Sequence, residues 1–204
     1  MYWYERISHG YGDFVHLFCD DGDLVDTMRA NGLKRVLCVG NGISQEPRAL
    51  AWAGFDVTAL DLSPYATKVA SEVTPPAELL AQLVGGRSGG LNGNLNFVAG
   101  NLCDPACCPG PYDVVIERLT LQLYSDEYKP RALQAVANRI TSLGIFFSQS
   151  HDWPLETTRA AYTLERVVVP RTRLAHLAHG RPIDDASSLV AHNYWLVMDC
   201  IAPS

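Results

Sequence analysis

The stretch Val36-Leu37-Cys38-Val39-Gly40-Asn41-Gly42-Ile43-Ser44 decides how the rest of the chain is read. An apolar run of the kind buried on both faces of a parallel sheet stops at two glycines spaced G-x-G. A helix-like segment follows, Gln45 to Ala53, with Ser44 placed to cap it and Gly54 to end it. Val57 to Leu60 reads as a second strand, closed by Asp61, 21 residues after Gly40. This order describes a strand, a tight glycine turn, a helix and a second strand ending in a carboxylate. Glycines without a Cβ let a ligand approach the backbone, and a carboxylate at the second strand's end can accept from two ribose hydroxyls. The pattern is that of a nucleoside-cofactor site.

Working outward, residues 1–32 read as a helical leader. Phe14, Leu17, Phe18, Leu24, Val25 and Met28 recur at helical spacing, and Asn31-Gly32 is the stop. Downstream, Ser63-Pro64 opens a helix that runs to about Val73, serine as N-cap and proline in the first turn. A short helix through Val84 and a glycine-rich loop, Gly85 to Asn94, come next. Leu95–Val98 and Asp113–Ile116 read as the third and fourth strands. Ser125 is expected to cap a long helix to about Leu143, with Asp126 and Glu127 in its first turn and Gly144 ending it. Ile145–Ser148 is the expected fifth strand. Leu155 to Arg166 reads as a helix. Arg171–Leu177 and Ser188–Cys200 read as strands too close for a crossover helix, hence an antiparallel pair.

Repeated βα units followed by an antiparallel pair imply a Rossmann-like α/β fold, a mainly parallel sheet with helices on both faces. The expectation is one domain over residues 1–204. It comprises a leader or lid (1–32), a cofactor-binding core (33–150) and a C-terminal substrate-side segment with a β-hairpin (151–204).

Composition narrows the partners. Charged residues make up 19% of the chain and the net charge is −6. No Lys/Arg cluster stands out, which counts against nucleic acid as a partner. No apolar stretch approaches the roughly 18 residues of a membrane span, and the N-terminus lacks a signal peptide's basic start and apolar run. The six cysteines are scattered, so they are expected to be reduced thiols in a cytoplasmic protein. Cys103, Cys107 and Cys108 are spaced C-x-x-x-C-C, which fits no zinc pattern, and no metal is expected.

The dinucleotide fingerprint G-x-G-x-x-G/A wants a small residue where Gln45 stands, which disfavours NAD or FAD. At this point the chain resembles the class I S-adenosylmethionine-dependent methyltransferases, over about Leu33 to Ser150. Val36–Ser44 is similar to their first motif. Val57-Thr58-Ala59-Leu60-Asp61-Leu62-Ser63-Pro64 resembles the second strand with its ribose-binding acid. Phe97-Val98-Ala99-Gly100-Asn101-Leu102 resembles the third-strand motif, and Tyr112-Asp113-Val114-Val115-Ile116-Glu117 the fourth strand. The resemblance implies S-adenosyl-L-methionine as cofactor, held by Gly40, Asn41, Gly42, Glu46, Asp61, Leu62, Asn101, Leu102 and Glu117. The chain departs from the pattern at Cys38, where the family usually carries an acid, at Ser44 in place of a third glycine, and at Asn101 in place of the adenine-site acid. Glu46 is the candidate to supply the missing carboxylate near the methionine amino group; its alternative role is that of a first-turn acid favoured by the helix dipole.

On the acceptor side, Tyr112 to Leu119 looks most like thiopurine methyltransferases and related small-molecule enzymes. That resemblance implies Glu117 at the boundary between cofactor and acceptor, and Arg118 pairing with an anionic substrate group. A structural Glu–Arg pair is the alternative. His151, after the fifth strand, is a candidate general base; the alternative is a loop histidine with no catalytic role. The expected function is methyl transfer to a small molecule. The alternatives are a non-catalytic methyltransferase-like binding module and a protein (lysine) methyltransferase, with a NAD-dependent oxidoreductase the most distant.

Overall fold

The computed structural model describes residues 24–78, 80, 93–118 and 120–150, together with strand backbone at 175–176 and 192–197. Among the described residues, seven strands form one sheet: β1 (Arg35–Val39), β2 (Asp56–Asp61), β3 (Leu95–Ala99), β4 (Tyr112–Arg118), β5 (Ile140–Ser150), β6 (Ala175–His176) and β7 (His192–Val197). Their order is β3-β2-β1-β4-β5-β7-β6. The first five run parallel, while β7 is antiparallel to both β5 and β6. The expected mixed sheet with a terminal antiparallel pair is what forms. Among the described residues, four helices flank it: α1 (Leu24–Ala30), α2 (Glu46–Trp52), α3 (Pro64–Glu72) and α4 (Lys129–Ala137).

Alternation along the central strands divides the core in two. Val36 and Cys38 of β1 join Val25 and Met28 of α1, Ala49 and Leu50 of α2, and Phe147 of β5. Leu37 and Val39 face the other way, onto Leu133 and Val136 of α4, Leu121 and Phe146. Phe146 and Phe147 are both fully buried, so this part of the sheet is covered on both faces. That is why its strands read as continuous apolar runs rather than alternating ones. Asp113 fixes the base of the sheet: its Oδ2 accepts from the backbone N–H groups of Lys34 and Arg35, each at 2.8 Å.

Local signals behave as elementary chemistry requires. Gly32 ends α1 at φ +66°, and Leu33 N–H donates to Met28 O at 2.8 Å, the left-handed glycine stop. Ser63 caps α3 through its hydroxyl, which accepts from Ala66 N–H at 3.2 Å, with Pro64 in the first turn.

Two expectations are corrected. The residue at the N-cap of α2 is Gln45, not Ser44; Ser44 still contributes, because its Oγ accepts from Glu46 N–H at 3.2 Å. The long helix from Ser125 to Leu143 does not form. Residues 126–128 are a turn, α4 covers only Lys129–Ala137, and β5 begins at Ile140. Pro130 sits in the first turn of α4, where its missing N–H costs nothing, and this places the start beyond Asp126 and Glu127. Gly144 lies inside β5. A Cβ there would stand 2.9 Å from Asp113 O, beside the register shift between Tyr112 and Val114. This glycine marks a bulge with close backbone approach, not a helix end. Residues 1–23 of the expected leader, most of the glycine-rich loop and the helix at Leu155–Arg166 lie outside the described residues.

Candidate nucleoside-cofactor site

The parallel strands β1 to β5 end at one edge of the sheet, and β1 lies between β2 and β4. Strand order reverses there, which is where open α/β sheets hold ligands. The glycine turn leaves β1 at this point. Gly40 and Gly42 have φ of +64° and +55°, values that favour glycine. A Cβ built at Gly40 would overlap the Thr120 side chain, whereas one built at Gly42 meets nothing within 4 Å. The turn is therefore packed from below at Gly40 and open to a ligand at Gly42. Its shape is held by Gly40 N–H and Asn41 N–H, which donate to Leu60 O at 2.8 and 3.2 Å.

Asp61 joins three segments of this edge. Its Oδ2 accepts from Gly42 N–H at 2.7 Å and its Oδ1 from Ser63 N–H at 2.8 Å. Its carbonyl accepts from Gly100 N–H at 2.9 Å. The carboxylate thus fixes the glycine turn and the start of α3, and each oxygen keeps a lone pair for a further donor. Leu62, the next residue, is 73% exposed, an apolar side chain presented beside the carboxylate. Asn101 follows Gly100 and is exposed. Its Oδ1 accepts from Cys103 N–H at 2.9 Å, which turns the amide NH2 toward other acceptors. The side chain of Leu102 is buried in the core with α4, so a ligand can meet only its backbone.

Glu46 and Cys38 meet behind the glycine turn. Cys38 is buried on β1, and its thiol is pushed well above the ordinary thiol range, first by burial and then by the Glu46 carboxylate. Glu46 is 5% exposed. A carboxylate therefore stands close to the position where the family pattern puts an acid, but it comes from the first turn of α2.

Glu117 lies in β4, paired with Val39 on one side and Ser148 on the other. It is buried, and its Oε2 accepts from Thr120 N–H and Leu121 N–H, both at 3.1 Å. These bonds hold the short 3-10 turn Leu121–Leu123 against the sheet. The carboxylate thus organises the turn after β4. Arg118 closes β4 opposite Gln149. His151 lies outside the described residues. Thr120, which no sequence motif singles out, is the residue packed on the glycine turn; its Oγ1 lies 3.4 Å from Val39 O and Gly40 O.

No protein-family model and no characterised protein matches the chain by sequence. Solved structures do match in fold. The chain is similar to the magnesium protoporphyrin IX methyltransferase of Synechocystis PCC 6803 with bound SAM, with a TM-score of 0.60 and 16% identity. That match covers 95% of this chain and 82% of the other. It is also similar to a plantazolicin methyltransferase in complex with SAH, with a TM-score of 0.61, 13% identity, and coverage of 96% and 90%. The likeness is one of fold: the Rossmann-like arrangement is shared with these two methyltransferases. Among the described residues, no helix is long and apolar enough to cross a membrane, and no group of three or more His, Cys, Asp or Glu could hold a metal ion.

Proposed function

We propose that this chain is an S-adenosyl-L-methionine-dependent methyltransferase acting on a small molecule. The observation that carries the reading is the Asp61 carboxylate, tied to the glycine turn through Gly42 N–H at 2.7 Å and set at the switch point of the sheet. The residues fit the cofactor: the space at Gly42 that a Cβ would occupy is open. Asp61 would accept from the ribose hydroxyls, Leu62 would lie against the adenine, and Asn101 would hydrogen-bond it. Glu46 would supply negative charge for the methionine ammonium. The bound cofactor supplies a methyl group already activated by its sulfonium. The chain's work is then alignment: Glu117 and Thr120 hold the turn after β4 next to the glycine turn.

The small-molecule reading is supported by the acidic net charge and by the likeness of Tyr112–Leu119 to thiopurine methyltransferases. The two similar structures are named for magnesium protoporphyrin IX and for plantazolicin, neither of which is a nucleic acid. Arg118 is the residue for an anionic acceptor group, and His151 the one for a general base where the acceptor arrives protonated. A second reading, nucleoside binding without transfer, is favoured by Cys38 standing where the pattern wants an acid. Labelled-methyl transfer to a panel of small thiols, phenols and amines separates the two.

Calorimetric titration with S-adenosylhomocysteine tests the site. The Asp61→Ala variant is expected to bind at least roughly tenfold more weakly, since it loses charge-assisted hydrogen bonds. Unchanged affinity in that variant overturns the assignment.

A further inference from the structure

We propose that Cys107 and Cys108 are a dithiol modification site, oxidised by hydroperoxides to a disulfide that weakens nucleoside binding at the adjoining turn. The site itself stands on geometry; its effect on binding rests on the cofactor reading above.

The two sulfurs are 3.9 Å apart, and Cys108 holds a left-handed φ of +51°. Their backbone is anchored by one side chain. Arg139, 4% exposed, donates from Nε to Cys108 O at 3.2 Å, and from Nη2 to Cys107 O at 3.0 Å and Asp104 O at 2.6 Å. The thiols are thus held side by side on a fixed support. Cys107 is half-buried and Cys108 is 8% exposed, so the solvent reaches the pair at Cys107.

The chemistry is a two-electron oxidation. The Cys107 thiolate attacks one oxygen of the hydroperoxide, the O–O bond breaks, and an alcohol (water from hydrogen peroxide) leaves. The resulting sulfenic acid is attacked by Cys108; the S–O bond breaks, water leaves and the S–S bond forms. Two thiols and one hydroperoxide give one disulfide, one alcohol and one water. Cys107, the more exposed of the two, is the first nucleophile, while burial and then the neighbouring Cys107 push the Cys108 thiol up to about 12. Adjacent Cα atoms across a trans peptide are about 3.8 Å apart, below the usual disulfide range of about 4.4–6.8 Å. Such a bond is strained and readily reduced, so the modification is reversible.

The link to the cofactor site is direct packing. The Cys107 sulfur lies where a Cβ on Gly100 would be, next to Leu60. Gly100 N–H donates to Asp61 O at 2.9 Å, and Asn101 follows it. Asn101 O accepts from Asp104 N–H at 3.0 Å, and Asp104 O from Cys107 N–H at 3.1 Å, so backbone hydrogen bonds connect Cys107 to Asn101. Drawing the Cys107 sulfur toward Cys108 removes the support under Gly100 and loosens both Asp61 and Asn101.

The test treats the reduced full-length chain with hydrogen peroxide, maps its peptides by mass, and titrates S-adenosylhomocysteine before and after. The expected result is a loss of about 2 Da confined to the peptide holding both cysteines. Affinity is expected to fall roughly tenfold, and dithiothreitol is expected to restore mass and affinity together. Cys107→Ser and Cys108→Ser each abolish the mass change; Cys107→Ala replaces the first if it does not fold, as judged by circular dichroism. A disulfide to Cys103, or only sulfinic products on separate cysteines, overturns the site. Formation of the expected disulfide with unchanged affinity overturns the coupling. If the reduced wild-type chain binds no S-adenosylhomocysteine, the cofactor reading and the coupling fall, while the mass map still decides the dithiol site.

Discussion

Thr120 fills the space that a side chain at Gly40 would need. The turn after β4 is therefore built on the turn after β1, and the two cannot be varied independently. Glu117 holds the other end of the arrangement by accepting from Thr120 N–H at 3.1 Å.

Gly40→Ala is expected to destabilise the chain by about 2–4 kcal/mol, combining the cost of a left-handed φ with overpacking. Thr120→Ala removes the Oγ1 and Cγ2 atoms from the overlap. The double variant should therefore be more stable than the sum of the two single effects, retaining the φ cost and the 2.6 Å approach of the residue-120 Cβ. Urea denaturation in a double-mutant cycle measures the coupling; strict additivity would show that the two residues do not meet.

Cys38 and Glu46 give a second coupled pair. Cys38→Asp alone brings a carboxylate beside the Glu46 carboxylate in a buried setting, with an expected loss of about 1–3 kcal/mol from repulsion and desolvation. Glu46→Gln removes the repulsion, so the double variant should recover part of that stability. It should also recover part of the S-adenosylhomocysteine affinity lost in Glu46→Gln. Denaturation and calorimetry on the four proteins decide it, and recovery of neither quantity rules out Glu46 as the relocated acid.

The parts legible in the sequence were those governed by short-range chemistry. Gly40 and Gly42 read as a ligand turn because their left-handed backbone favours glycine, and Ser63-Pro64 read as a helix start because serine and proline act locally. The end of α4 was not legible. Thr141, Ser142 and Leu143 carry no strand period, and they join β5 because Tyr112 pairs with Ile140 and forces a register shift that Gly144 accommodates. That information lies 28 residues away in the chain. Thr120 was missed for the same reason: only the pairing of Glu117 with Val39 brings it onto Gly40. Glu46 was legible as a candidate, but its closeness to Cys38 needed the sheet and α2 together.

Arg139 replaces a hydrogen-bonded loop ladder with a single side chain. It donates to four backbone carbonyls, those of Asp104, Cys107, Cys108 and Ala135. Arg139→Met takes this donor from the Cys107, Cys108 and Ala135 carbonyls, while Asp104 O keeps Cys107 N–H, at an expected cost of about 3 kcal/mol. Lysine keeps the charge, but one nitrogen cannot reach all four oxygens, so Arg139→Lys should recover less than half. Urea denaturation of the three proteins measures this. A loss below about 1 kcal/mol in the methionine variant would mean that water replaces the guanidinium without difficulty.

Alkaline pH should unfold the chain through its buried thiols. Cys38 is held protonated by burial and by Glu46, and Cys108 is raised to about 12 by burial and by Cys107. An unfolded thiol ionises near pH 8.5. Between that value and the folded one, the unfolded chain has released a proton that the native chain retains. Stability is therefore intact below about pH 8.5 and falls as pH rises, by up to about 1.4 kcal/mol per pH unit for each such thiol. Urea denaturation under reducing conditions at pH 8, 9 and 10 reads this slope. Cys108→Ser should flatten it relative to wild type, because its hydroxyl does not titrate in that window. If the variant and the wild type lose stability in parallel across the window, Cys108 ionises in the native state and is not kept protonated by its surroundings.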